Sequence, residues 1–401
     1  MSPVERTYAF LGRLFGPKRL ALLVAAWILA LGAWGTVART VLPIEHRLTW
    51  DIPLELRAPL FAKFDAGWYL SIIEWGYGPP PKPGQPSTHA FFPLYPWTAK
   101  VLHHTFAMDG FHAGMLVTYL CLFLAMPLFL REGRERRGEP GAWRSVVFLL
   151  LFPTSFFLAS MYAESMFFLF ALLAFRDTRA GRTRSAVIWG ILLGLTRPTA
   201  LAIAPALFLA ALETRPGESP RAPGRSSRAL LIVARWPRAL LIAGAPFLTV
   251  WAWILGDGIA HGEPGLFFRA EAGWRRGAGS FSGIAAYFSR FGDYVARAGW
   301  KTEPMYLLDY GAALLFLGFA IRLVWKRRWS DAAWAAGALA LPISTGLSAG
   351  MPRYLFSVYP VLYEMDAVLS DRPRRRWIWW IGSGGLLLFA AARFVNALGV
   401  S

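Results

Sequence analysis

The sequence predicts an all-α fold of the polytopic membrane class, and three observations predict it. The 401 residues are 56% hydrophobic and only 16% charged, against ~45–50% and ~25% in a soluble domain, and the mean hydropathy is +0.40. Long apolar runs recur from residue 20 to residue 396. The basic residues gather between those runs: 27 of the 42 Lys and Arg lie in six clusters, at 6–19, 131–144, 176–184, 215–238, 322–328 and 372–376. Basic clusters beside apolar runs follow the positive-inside rule. The net charge of +18 therefore reads as topology, and nucleic-acid binding is set aside. Residues 1–401 are expected to form one multipass domain.

The elements follow in order. Candidate spans are 20–42, 113–130, 143–159, 162–176, 185–197, 198–212, 238–256, 304–323, 332–349, 352–370 and 376–396. The first follows basic residues and lacks an A-x-A cleavage site, so it reads as a retained helix. Several of these spans fall short of the ~20 residues of a full crossing, and Pro153, Pro198, Pro205 and Pro352 lie within or beside them. Broken helices of this kind suit a protein interior or a wet cavity. Clusters on the cytoplasmic side put the N-terminus inside, and two long loops outside, 43–112 and 257–303. Both are rich in aromatics, the residues that settle at headgroup level.

Within the first outer loop, residues 54–77 are expected to form an interfacial helix. Its stripe is Leu56, Leu60, Phe64, Trp68 and Ile72, with Arg57 and Lys63 off it. Gly78 to Ser87 (GPPPKPGQPS) is a polyproline-type hinge, and 90–103 is a run bent by Pro93 and Pro96. Cys121 is the only cysteine, which excludes an internal disulfide, a zinc finger or CxxC chemistry. Asn396 is the sole Asn and sits outside any glycosylation sequon. No internal repeat is visible, so the inverted-repeat design of many secondary transporters has no support.

An ionisable residue in an apolar segment is costly unless paired or wet, which makes each one a functional candidate. Asp65, Glu164, Arg197 and Arg353 stand out, and the expected topology brings all four to the outer end of the bundle. Two carboxylates and two guanidiniums there suit binding a phosphate and activating a hydroxyl; the plain alternative is two ion pairs tying helix ends together. His89 is a candidate for a phosphate hydrogen bond, against a structural His at a loop boundary. Trp68 and Tyr69 suit stacking on a sugar, against plain interfacial packing. His103 and His104 read as headgroup-level residues, and Gly190 with Gly194 as a close helix contact.

The stretch FDAGWYLSIIEWGYG (Phe64 to Gly78), followed by HAFFPLYP (His89 to Pro96), resembles the first-loop signature of PIG-V-type mannosyltransferases. This is the GPI mannosyltransferase 2 family with its bacterial relatives, in the GT-C class of multipass glycosyltransferases. Less specifically, FPTSFFLASMYAESMF (Phe152 to Phe167), LTRPTALAIAP (Leu195 to Pro205), GEPGLFFRAEAGW (Gly262 to Trp274) and MPRYLFSVYP (Met351 to Pro360) are similar to later family patches, in order. Glu271 stands where the bacterial relatives lead one to expect Gln, so no role is placed on it.

The resemblance implies a polyprenyl-phosphate sugar donor, mannose in the best-known members, used on the outer or lumenal side with inversion. It implies a lipid-linked or glycan acceptor and a catalytic carboxylate that maps onto Asp65. The chemistry agrees: a polyprenyl phosphate leaves readily, so the site needs a base for the acceptor hydroxyl and cations for the phosphate. Arg353 and Arg197 suit the phosphate, with Glu164, His89, Tyr69 and Trp68 around the donor. The first loop has no D-x-D pair, and a hard cation wants several converging oxygens, so neither metal nor other cofactor is expected. Thirty-six Arg against six Lys suits a GC-rich bacterial genome, hence a bacterial plasma membrane rather than endoplasmic reticulum. The competing class is a transporter or flippase for a lipid-linked sugar or small solute, whose polar residues would sit near the bilayer midplane.

Overall fold

The structure, a computed structural model, describes residues 3–41, 59–213, 225–274, 276–277, 279–301, 305–346 and 349–398. Fifteen α-helices and no strand occur among them. In chain order they are α1 Pro3–Val41, α2 Asp65–Trp75, α3 Leu94–Phe106, α4 Gly110–Leu150, α5 Glu164–Arg179, α6 Thr183–Gly194, α7 Ala204–Leu212 and α8 Arg225–Ala260. Then come α9 Leu266–Ala272, α10 Phe281–Ala296, α11 Met305–Trp325, α12 Trp329–Ser344, α13 Met351–Leu355, α14 Tyr359–Leu369 and α15 Pro373–Val395.

Five helical stretches are long and apolar enough to cross a membrane: Lys18–Val41, Gly110–Leu150, Ala234–Ala260, Met305–Trp325 and Pro373–Val395. The other apolar helices are shorter, so length alone does not reproduce the eleven expected crossings. The long helices carry outward apolar side chains such as Leu29, Leu124, Leu248, Leu314 and Ile381, the surface a lipid solvent requires. Inside, the core is aromatic. Phe175 stacks on Trp334 with centroids 4.9 Å apart, Trp334 meets Tyr359 edge-on, and Phe129 stacks on Tyr363.

Helices break where the sequence forces them to. At Gly138, α4 takes φ 69° and ψ 175°, so two helical stretches meet within the basic cluster 131–144. Its second half ends before Pro153, and a 3₁₀ turn at Ser155–Ala159 leads to α5. Between α6 and α7, Pro198 opens a 3₁₀ turn and Pro205 sits in the first turn of α7, positions where a missing N–H is harmless. The expected span 352–370 is two helices, α13 and α14, with Pro352 and Pro360 in their first turns. Gly190 and Gly194 face α8, where a Cβ on Gly194 would stand 2.9 Å from the Pro246 carbonyl oxygen.

The first outer loop differs from expectation. Helix begins at Asp65, not near residue 54: residues 54–58 lie outside the described residues, and 59–64 form turns. Phe64 terminates the helix with φ 53°. Of the expected stripe, Leu60 and Phe64 thus precede the helix; its buried residues are Ala66, Gly67, Tyr69, Ile72 and Ile73. Lys63, expected on the polar side, is buried. Pro93 caps α3, and Pro96 falls in its first turn, so the run 90–103 breaks at 91–93 and is helical from Leu94 on, with no bend at Pro96.

At the opposite end of α5 from Glu164, the basic clusters are cross-braced by buried acids. Arg136 and Arg179 share Asp331, at 2.7 and 3.1 Å, and both bind Glu132. Arg137 and Arg144 hold Asp366, at 3.0 and 2.5 Å. Arg322 and Arg328 hold Glu364. The clusters read as topology signals therefore also carry structure.

Candidate active site

Four short segments deliver the site, each shaped by its local sequence. Asp65 is the first residue of α2, behind the left-handed Phe64, a conformation that costs roughly 1–3 kcal/mol and needs surroundings to hold it. Tyr162 supplies part of that hold: its hydroxyl accepts from the Asp65 N–H at 3.2 Å and donates to the Lys63 carbonyl at 2.8 Å. Glu164 opens α5. Arg197 is extended (φ −160°, ψ 148°), as the residue before a proline prefers, which turns its side chain back towards α5. Arg353 stands in the first turn of α13, after Gly350 at φ 80°, and buried Asp309 accepts from the Met351 N–H at 3.0 Å to cap that turn.

These segments meet at Arg353. Its Nη1 donates to Asp65 Oδ2 at 2.6 Å, and its Nε to Glu164 Oε1. Glu164 Oε1 is shared with Arg197 Nη1 at 2.5 Å, while Glu164 Oε2 is buried without a hydrogen-bond partner. The Arg353 guanidinium also lies 4.5 Å from the Tyr162 ring centroid and 4.9 Å from that of Phe157, cation–π distances. Asp65 keeps a quarter of its side-chain surface exposed, whereas Glu164 is closed off at 2%.

Asp65, Tyr69, Arg197 and Arg353 line one pocket of about 60 Å³, joined by Glu271, Trp274, Arg276 and Tyr354. Glu164 stands behind the two arginines instead of on the wall. Arg276 bridges Glu271, at 3.1 Å, and the Tyr354 hydroxyl, at 2.8 Å, and Arg197 packs over the Tyr354 ring at 5.4 Å. The charges balance: three guanidiniums answer the three carboxylates Asp65, Glu164 and Glu271. A second pocket of about 160 Å³ shares Pro198, Thr199, Glu271, Arg276 and Tyr354 with the first and continues along Leu201, Trp251, Ile254, Phe267, Phe268 and Leu341. A charged chamber thus shares a wall with an apolar one.

Two expected donor contacts lie elsewhere. His89 is fully buried, with Nδ1 2.8 Å from Asp257 Oδ2 and Nε2 2.8 Å from the Gly78 carbonyl oxygen; both ring nitrogens are committed away from the pocket. Trp68 packs 5.6 Å from Trp274 and 6.2 Å from Phe91, ring centroid to centroid, backing the wall without lining it. Sequence reasoning missed Arg276 and Tyr354 and left Glu271 without a role. The available signal was position: Arg276 lies two residues past the patch ending at Trp274, and Tyr354 lies inside MPRYLFSVYP.

Against known proteins, residues 59–214 match the family described as mannosyltransferase (PIG-V). The matched stretch contains Asp65, Tyr69, Glu164 and Arg197. No curated protein and no solved structure matches the chain. With the apolar helices, the family match supports a membrane glycosyltransferase of the mannosyl type.

Proposed function

We propose that this chain, as a PIG-V mannosyltransferase-type protein, transfers a hexose, mannose, from a polyprenyl-phosphate donor to a lipid-linked or glycan acceptor on the outer or lumenal face, with inversion. One observation carries the reading: a balanced cluster of arginines and carboxylates, open to solvent at Asp65, shares a wall with an apolar pocket. A lipid-linked sugar phosphate has that same division. Its phosphate suits Arg353, Arg197 and Arg276, whose planar forks bind phosphate oxygens in pairs, and its prenyl chain suits the pocket along Trp251, Ile254, Phe267 and Phe268. The sugar would stand by Asp65, Tyr69 and Trp274.

In this reading an arriving phosphate competes with Asp65 for Arg353. Asp65 Oδ2 is then released to take the proton of the acceptor hydroxyl as its oxygen bonds to the sugar C1. The C1–O bond to the phosphate breaks with its electron pair, and the arginines take up the charge on the departing polyprenyl phosphate. Glu164 holds the side chains of Arg197 and Arg353 in place. The charged end of α5 bearing Arg179 stands about 22 Å along the helix axis from Glu164, which supports the site facing outward with the basic clusters cytoplasmic and disfavours a midplane transport site. Incubating purified protein with several polyprenyl-phosphate sugars and membrane-lipid acceptors, with products read by mass spectrometry, tests the proposal. A mannosylated product is expected. Absence of any glycosylated product across the donor panel overturns it.

A further inference from the structure

Away from the charged pocket, the two outer loops meet at a second cluster. Asp257 lies in the last turn of α8, and His261 follows four residues on, its N–H still bonded to the Asp257 carbonyl at 3.2 Å. That i, i+4 spacing puts both side chains on one face of the helix end. His89 comes from the 3₁₀ turn Thr88–Ala90 of the first loop and meets them there. One ligand-type atom from each of His89, Asp257 and His261 lies within 4.8 Å of the other two, and the two imidazoles approach edge to face at 4.6 Å between centroids.

We infer that His89, Asp257 and His261 form a binding site for a divalent transition-metal ion of the zinc class, clipping the two outer loops together. Two imidazoles and one carboxylate make a known donor set for zinc, with the fourth position left for water. The outer hydrogen bonds are those of a metal site. His89 Nε2 faces the Gly78 carbonyl oxygen at 2.8 Å, and His261 Nδ1 faces the Asp257 carbonyl oxygen at 2.9 Å. His89 commits its Nε2–H to a carbonyl and keeps its other ring nitrogen for the ion, while His261 presents Nδ1 at 3.4 Å from Asp257 Oδ1. At His89 that nitrogen is Nδ1, which faces Asp257 Oδ2 at 2.8 Å. Since the carboxylate only accepts, a proton holds that contact when no cation is present; the ion takes the proton's place and releases it to solvent.

The remaining requirements of a metal site are also met. Tyr77 and Trp253 flank the cluster, with Tyr77 5.6 Å from His89 and 5.3 Å from Trp253 between centroids, which keeps the dielectric low. His89 is fully buried, but 29% of the His261 side chain is exposed, giving an ion a way in. Tetrahedral coordination sets the three donors about 3.4 Å apart, given zinc–ligand bonds of ~2.0–2.1 Å, so the His89–Asp257 pair, at 2.8 Å, opens slightly to admit the ion.

The test uses the full chain purified in detergent, with any polyhistidine tag removed, treated with chelator and then given zinc chloride alone. Metal content is read by mass spectrometry, and affinity by competition with a chromophoric chelator. One zinc per chain is expected, with a rise in the thermal midpoint on zinc addition. His261→Ala and Asp257→Asn are each expected to weaken binding at least tenfold. His261 is the less buried histidine, so its variant keeps the test alive if His89→Ala fails to fold. Wild-type protein that takes up no stoichiometric zinc overturns the inference. So does zinc uptake that both variants leave unchanged.

Discussion

Arg353 sits between two carboxylates and two aromatic faces, and that crowding decides what each change there would do. Asp65→Asn keeps the size and a hydrogen bond to Arg353 but cannot accept a proton. Loss of a general base costs ~10²–10⁴ in rate, so turnover per folded molecule should fall at least ~100-fold while donor binding survives. An ion pair of purely structural value would instead lower yield or thermal stability and leave specific activity near normal. Arg353→Lys keeps the charge but loses the fork, and donor KM should rise about tenfold, equivalent to ~1.4 kcal/mol. Full activity of Arg353→Ala at limiting donor would reduce Arg353 to a helix anchor. Lys63 makes a separate, pH-dependent prediction. Burial, and then the neighbouring charge of Arg39, pull its ammonium from 10.5 down to about 8. The unfolded chain therefore holds more protons than the folded one between those values, so stability should rise as pH goes from 8 towards 10. A thermal midpoint that climbs over this range in wild type but not in Lys63→Met would bear it out.

At the scale of elements, short helices ended by proline carry the chemistry, and long helices carry the membrane face. The sequence made this division readable because a charge inside an apolar run is expensive and therefore conspicuous: Asp65, Glu164, Arg197 and Arg353 all proved to be mutual neighbours. Arg276 and Tyr354 escaped for the opposite reason. Arg276 belongs to a polar loop, where a guanidinium costs nothing and draws no notice, and only the meeting of that loop with α13 brings it to Tyr354. His89 and Trp68 misled because motif position says which loop a residue joins, not which way its ring turns. Helix α2 began late because left-handed Phe64, unlike an ordinary apolar stripe residue, ends the helical run. Close contacts supply the test at this scale. Gly194 presses on the Pro246 carbonyl oxygen and on the Thr249 Cβ, each 2.9 Å from where its own Cβ would be. Gly194→Val should therefore cost ~1–3 kcal/mol by overpacking, seen as a lower thermal midpoint in detergent. A neutral result would mean that α6 and α8 slide apart without loss.

For the whole molecule, two polar layers lie at opposite ends of an aromatic core. One is the pocket at Asp65 and Arg353; the other is the lattice in which Asp331, Glu364 and Asp366 gather arginines from α4, α5, α11 and the turn before α12. Single cysteines placed on a Cys121→Ala background report the orientation. Positions 82 and 280 should react with an impermeant maleimide from outside only, and positions in 131–142 and 371–376 from the cytoplasm only. Labelling of 82 or 280 solely from the cytoplasm would invert the molecule and remove the outward site.

The bond set around Arg353 also bears on how such a site can change over generations. An ordinary salt bridge can be reversed by exchanging its two residues, each single change being repaired by the other. Here Arg353 serves Asp65 and Glu164 at once, and Glu164 in turn serves Arg197. Exchanging Asp65 and Arg353 would leave Glu164 facing a carboxylate in place of its guanidinium. Repair would then require a third substitution, and Arg197 would constrain that one as well. The four positions are therefore locked as a unit, and a drifting lineage would find no sequence of single tolerated steps out of the arrangement.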